Sequence, residues 1–147
     1  MSPALAFRAA LLACAGFLAA CNGPAVREPP PLPFTGTKWM LATERAHAGE
    51  APFLEFGDGA MSGSSGCNRI MGRYVQDSVG AGAIVFSSIA STKRLCDAAA
   101  MAVEDRLLGV LRTSTNVQVT GDTLRIDGSA GRLDFRAFSA PPAEAPR

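Results

Sequence analysis

Between about Phe34 and Ser139, short runs of residues alternate apolar with polar at a period of two. A chain written this way has to lay one face of an antiparallel sheet against a core. Trp39 and Leu41 begin the series, followed by Leu54 and Phe56, then Ile84 and Phe86. The last three runs are the clearest: Val117 and Val119, Leu124 and Ile126, and Leu133 and Phe135 point one way, while Gln118, Arg125 and Asp134 point the other. Gly57-Asp58-Gly59, Gly121-Asp122 and the stretch from Gly128 to Gly131 supply turn chemistry for hairpins. One segment departs from the pattern. Asp97 to Arg112 has no proline, is rich in alanine and leucine, opens on an N-capping aspartate and closes on a cation, so it predicts a helix. The expected fold class is α+β: a small domain whose strongly curved antiparallel sheet, or barrel, wraps around one helix or is plugged by it.

The segments outside that domain point to a location. Arg8 precedes the apolar run Ala9 to Ala20, which is too short to span a bilayer as a helix but the right size for a signal-peptide core. Leu18-Ala19-Ala20-Cys21 then resembles the bacterial lipobox, whose cysteine is acylated before cleavage. On this reading residues 1–20 are removed and Cys21 carries the lipid. The alternatives are an ordinary signal cut after one of the alanines, or the weaker match Leu11-Leu12-Ala13-Cys14. Residues 21–33, with Pro24, Pro29, Pro30, Pro31 and Pro33, read as a stiff tether. About ten such residues at roughly 3.1 Å each would set the domain about 30 Å from the membrane. Residues 140–147 read as a flexible tail. Asn22 is not the aspartate that signals inner-membrane retention, so the expected location is the bacterial outer membrane, facing the periplasm. The chain has 14 Lys and Arg against 13 Asp and Glu; removal of Arg8 with the signal leaves no net charge, and nothing electrostatic recommends nucleic acid as a partner. The expected state is a monomer.

With Cys14 lost and Cys21 acylated, Cys67 and Cys96 remain as an isolated pair in an oxidising compartment, where a disulfide is the default. The alternative is two buried thiols packed as small hydrophobes. No cofactor, metal site or catalytic residue is expected. His47, the single histidine, has no second histidine with which to build a dyad or a zinc site, and Ser62-Gly63-Ser64-Ser65-Gly66 does not fit the nucleophile elbow.

Four pieces in order identify a family resemblance. They are Gly36-Thr37-Lys38-Trp39-Met40-Leu41; Gly66-Cys67-Asn68-Arg69 with Gly72-Arg73-Tyr74; Thr92-Lys93-Arg94-Leu95-Cys96; and Met101 with Glu104 on the helix. Together, from Gly36 to about Phe138, the chain resembles the META/HslJ domain; Leu95 is a departure, family members often carrying another residue before the cysteine. The resemblance implies a compact β-rich fold with one helix, found in secreted or lipid-anchored bacterial proteins. It also implies an association with heat shock and with antibiotic tolerance, notably to novobiocin. The family brings no established catalytic residue or ligand. The motif positions Gly66, Asn68, Arg69, Gly72, Thr92 and Glu104 are read as structural.

Two of these carry physical expectations. At 100° per residue Glu104 falls among Met101, Leu107, Leu108 and Leu111, so it should be partly buried and met by a cation or by backbone donors. Arg94 and Arg69 are the nearest candidates, and the alternative is a rim position where its stem covers apolar surface. Asn68 is expected to bond the backbone of a tight turn, the other possibility being that Asn68 and Arg69 recognise a partner. Two functions follow: a lipid-anchored, non-catalytic binding or stress-support module that contacts an envelope protein, or a carrier of an apolar ligand or lipid within a barrel cavity. Core bulk in Trp39, Leu54, Phe56, Phe86, Phe135 and the helix leucines favours the first.

Overall fold

The computed structural model describes residues 30–42 and 51–138. The expected signal, Cys21, tether residues 21–29, His47 and the expected tail lie outside the described residues. Among the described residues eight strands run in chain order: β1 (Trp39–Leu41), β2 (Phe53–Gly57), β3 (Ala60–Ser64), β4 (Arg69–Ser78), β5 (Ala81–Ser91), β6 (Ser114–Thr120), β7 (Thr123–Gly128) and β8 (Gly131–Ala137). One helix among the described residues, α1 (Ala98–Thr113), separates β5 from β6. Every neighbouring pair is antiparallel, and β1 pairs with both β2 and β8, which closes the sheet into a barrel in sequential order. The seam between β5 and β6 is short, Ala81–Ala83 against Asn116–Gln118, so the later residues of β5 have a strand partner on the β4 side alone. Among the described residues no helix is long and apolar enough to cross a membrane.

The elements form where the local chemistry places them. Asp58 and Gly59 both take positive φ, 50° and 71°, in the two-residue turn between β2 and β3, the conformation that fits hairpin twist and favours Asp-Gly. The helix starts because Asp97 accepts from the Ala100 N–H at 2.9 Å, which satisfies one of the unpaired donors of the first turn. On the outer wall Arg125 faces Asp134 at 2.9 Å and Arg132 faces Asp127 at 2.6 Å in direct register across β7 and β8. These exposed pairs fix register more than they add stability.

The registers sort the connections onto two ends. One end carries the β3–β4 turn, the exit of β5, the start of β6 and the β7–β8 turn, and α1 packs across it against β5, β7 and β8. Its face of Val103, Leu107, Leu108, Val110 and Leu111 is buried. The opposite end is closed by the entering chain, where the expected tether meets the barrel. Leu32 donates its N–H to the Gly121 carbonyl at 2.8 Å, so hydrogen-bonded structure begins before Phe34. Phe34 itself, 1% exposed, stacks on Phe56 with centroids 4.3 Å apart and meets the edge of Tyr74 at 5.6 Å. Trp39 is fully buried and its indole Nε1–H donates to the Phe34 carbonyl at 3.0 Å. Between the two closures, Leu54, Met61, Ile70, Ile84, Leu124, Ile126, Leu133 and Phe135 fill the barrel.

Tyr74, the single tyrosine, reports on this packing. Burial pushes its phenol above the ordinary value of 10.0, the charge of Asp58 pushes it the same way, and a backbone hydrogen bond with Gly59 opposes both. A folded-state pKa raised above the unfolded one means that the fold favours the neutral phenol. The corresponding stability is complete below the unfolded pKa and is lost as pH rises through the folded one. In an alkaline absorbance titration, phenolate should form only above the pH at which free tyrosine ionises. Titration at the ordinary value would contradict the burial.

Candidate functional site

The motif residues converge where α1 meets the β3–β4 turn and the exit of β5. Gly66 takes φ +92°, and its N–H is held by the Ser64 Oγ at 3.0 Å. This turns the chain so that Ser65, Cys67 and Asn68 all face inward, each buried. Glu104 enters from α1, 4% exposed, because helical periodicity leaves it no other face.

Glu104 acts as an acceptor in every contact. Its Oε2 receives the Ser65 hydroxyl at 2.8 Å and the Asn68 Nδ2–H at 2.8 Å, and its Oε1 receives the Ser91 hydroxyl at 3.2 Å. The expectation of a cation or backbone donors is therefore corrected: Arg69 and Arg94 are exposed, and three neutral side chains, two from the β3–β4 turn and one from the end of β5, meet the carboxylate. The physical reason is economy of desolvation. A buried ion pair strips water from two charges, whereas hydroxyl and amide donors leave one to satisfy. Ser65 does more than donate, since its Oγ also accepts the Asn68 N–H at 2.9 Å and so ties the carboxylate to the turn.

Asn68 uses its full hydrogen-bonding capacity. Besides donating to Glu104, its Nδ2 donates to the Arg94 carbonyl at 3.1 Å, and its Oδ1 accepts the Arg94 N–H at 2.7 Å and the Thr92 hydroxyl at 2.8 Å. Two donors and two acceptor positions are all filled, and the acceptor-only contact with Glu104 fixes which end of the amide points where. Asn68 bonds backbone as expected, but that backbone is the segment entering α1 and not its own turn. Arg69 contributes main chain only: its N–H goes to the Thr92 Oγ1 at 3.1 Å and its carbonyl accepts the Thr92 N–H at 3.1 Å.

Cys67 and Cys96 form a disulfide with Cα atoms 6.1 Å apart, inside the range a bridge spans. It joins the same two segments a few residues from the Asn68 clamp. Gly72 stands apart, in the wall of β4, where a Cβ would press on the Met61 Cε at 3.1 Å and the Ser87 carbonyl at 3.3 Å. Ser65 and Ser91 are the members that sequence reasoning missed. Their signal was indirect: a carboxylate on an apolar helix face demands donors, and serines flank two of the motif's pieces. Among the described residues no group of three or more His, Cys, Asp or Glu is placed to hold a metal ion. No buried side-chain nitrogen or oxygen lacks a hydrogen-bond partner there. The arrangement is a saturated clamp whose chemistry is positional: it holds residues 92–96 in place on the surface.

A family model described as the META domain matches residues 32–139. Among solved structures, an NMR structure of a protein from Burkholderia xenovorans aligns with 82% of this chain and 97% of its own at 22% identity and a TM-score of 0.55. A second NMR structure aligns with 68% of this chain and 87% of its own at 19% identity and a TM-score of 0.56. Both are likenesses of fold. No curated protein matches the chain.

Proposed function

Because the chain belongs to the META domain family, whose model takes in the whole barrel and its helix, we propose that it is a non-catalytic binding module of the bacterial envelope. In this reading lipid on Cys21 holds it to the outer membrane, facing the periplasm. It supports the cell under stress, in the sense of heat shock and antibiotic tolerance, by contacting another envelope protein. The observation that carries the binding role is the clamp itself. A fully satisfied buried network at the end of the barrel spends its hydrogen bonds on fixing one surface segment, and preorganised surface is what recognition requires. A filled interior supports the same choice, since Trp39, Phe34, Phe135 and the surrounding aliphatic side chains occupy the volume a ligand would need.

The carrier reading keeps one observation in its favour. An open groove of about 870 Å³ lies outside the barrel between Leu32 and the β6–β7 turn, lined by Thr120, Thr123, Arg125 and Arg136. A stoichiometric lipid found by mass spectrometry in gently extracted protein would favour that reading. For the module, in-cell crosslinking should recover a defined envelope protein. Replacing Cys21 with serine should release the protein from the membrane fraction, because several acyl chains at about 0.8 kcal/mol per buried methylene are the proposed attachment. Unchanged membrane partition of Cys21→Ser would remove the anchor from the reading.

A further inference from the structure

The segment that the clamp holds is built as an enzyme substrate would be. Asn68 engages both backbone groups of Arg94 with one amide. The N–H and C=O of a single residue reach the same side only where the chain is extended, and the groups of the residues on either side then face the opposite way. Among the described residues the N–H groups of Lys93 and Leu95 donate to no protein group. They are free to pair with an incoming strand. The side chains are offered too: Lys93 and Arg94 are exposed, and Leu95 is 95% exposed on a backbone that cannot collapse to cover it.

Both flanks of this tripeptide are fastened to one turn. Upstream, Thr92 is bonded to Arg69 and Asn68; downstream, Cys96 is bonded covalently to Cys67, and Asp97 then caps α1. Hydrolysis of the Leu95–Cys96 bond would add one water and leave a carboxylate on Leu95 and an amine on Cys96. Neither new end could leave, because the Asn68 clamp retains one and the disulfide the other. Reversal, with loss of the same water, would remain as close at hand as the forward step.

We propose that residues 92–96 form an inhibitory loop that occupies the cleft of an endopeptidase, with Leu95 in the primary specificity pocket and Leu95–Cys96 at the position of the scissile bond. Extended ligands enter such clefts as an added strand, and a loop already rigid in the bound shape loses little entropy on docking. The clamp also sets the register. The residue before the scissile bond must give its own N–H to the enzyme; Arg94 has committed that group to Asn68 and Leu95 has not. The target therefore prefers a large apolar side chain, despite the two cations just upstream. The proposal goes further than the envelope-module reading and needs no lipid anchor, so its failure would leave the membrane-partition and crosslinking tests standing.

The test titrates the purified protein against chymotrypsin and subtilisin, whose pockets take large apolar side chains, and against trypsin, whose pocket takes a cation. Stoichiometric inhibition of an apolar-selective enzyme with no effect on trypsin is expected. Leu95→Gly should weaken inhibition about 30-fold or more, as loss of a central anchor does. Leu95→Arg should transfer inhibition to trypsin. Because the Leu95 side chain is exposed, Leu95→Arg should melt like the parent when followed by Trp39 fluorescence, and Leu95→Gly should lose no more than the small amount that an added glycine costs through the unfolded chain. Cleavage without inhibition, equal inhibition by Leu95→Gly, or a trypsin that Leu95→Arg does not touch would each overturn the assignment.

Discussion

Replacing Glu104 with alanine is expected to destabilise the domain by about 3 kcal/mol, while Asp105→Ala on the exposed face of the same helix changes it by less than about 0.5 kcal/mol. Three donors converge on Glu104 at 2.8 to 3.2 Å, and truncation leaves the Asn68 amide and the Ser65 hydroxyl buried without their acceptor. Each stranded group costs about 1–3 kcal/mol, which outweighs the relief of burying one carboxylate less. Glu104→Gln should fall between the two variants, at roughly 1 kcal/mol. Its oxygen can keep the position shared by Ser65 and Asn68 while its NH₂ faces Ser91, whose hydroxyl also accepts. Urea titrations monitored by Trp39, the single tryptophan, give the ordering. Equal small losses in Glu104→Ala and Asp105→Ala would refute the network.

How much of this was legible in the sequence depended on where each strand faces. In β6, β7 and β8 one face is buried and the other meets water, so alternation is clean and the elements fall where it places them. β4 does not announce itself as a strand because its outer face is itself partly apolar: Met71 and Val75 are 56% and 74% exposed and blur the period that Ile70 and Tyr74 set. A curved sheet or barrel was expected, and closure through a three-residue β1 paired on both sides is a long-range register that no local pattern encodes. Phe34 was expected as the first domain residue and not as the plug of one barrel end. At the site, helical periodicity places Glu104 inward, as the structure does, but charge complementarity points to Arg69 and Arg94 where Ser65, Asn68 and Ser91 are the partners. Those residues supply backbone to the clamp, a role their side-chain chemistry does not advertise. Asn68 reaches Arg94 across 26 positions, a separation over which turn propensity carries no information.

Removing the Cys67–Cys96 bridge, by the paired change of both residues to serine, is expected to cost the domain roughly 3 to 4 kcal/mol on the chain-entropy estimate. The bond spans a sequence separation of 29 residues, so without it the unfolded chain regains the freedom of a long loop. For a domain of this size that is a large share of a total stability of about 5–15 kcal/mol. The loss should not be independent of the network beside it. Asn68 and the disulfide fasten the same short segment, two residues apart at Arg94 and Cys96, to the same turn. With the bridge gone, Asn68 alone must keep that segment in place, and with Glu104 gone the amide loses the acceptor that fixes its orientation. A cycle combining the paired serine variant with Glu104→Ala should therefore show coupling of about 0.5 kcal/mol or more. The bond itself is checked by alkylating the denatured protein without reductant, where neither Cys67 nor Cys96 should react. Additive losses would show that the clamp and the bridge stabilise the fold separately, and a paired variant as stable as the parent would show that the bridge contributes nothing to it.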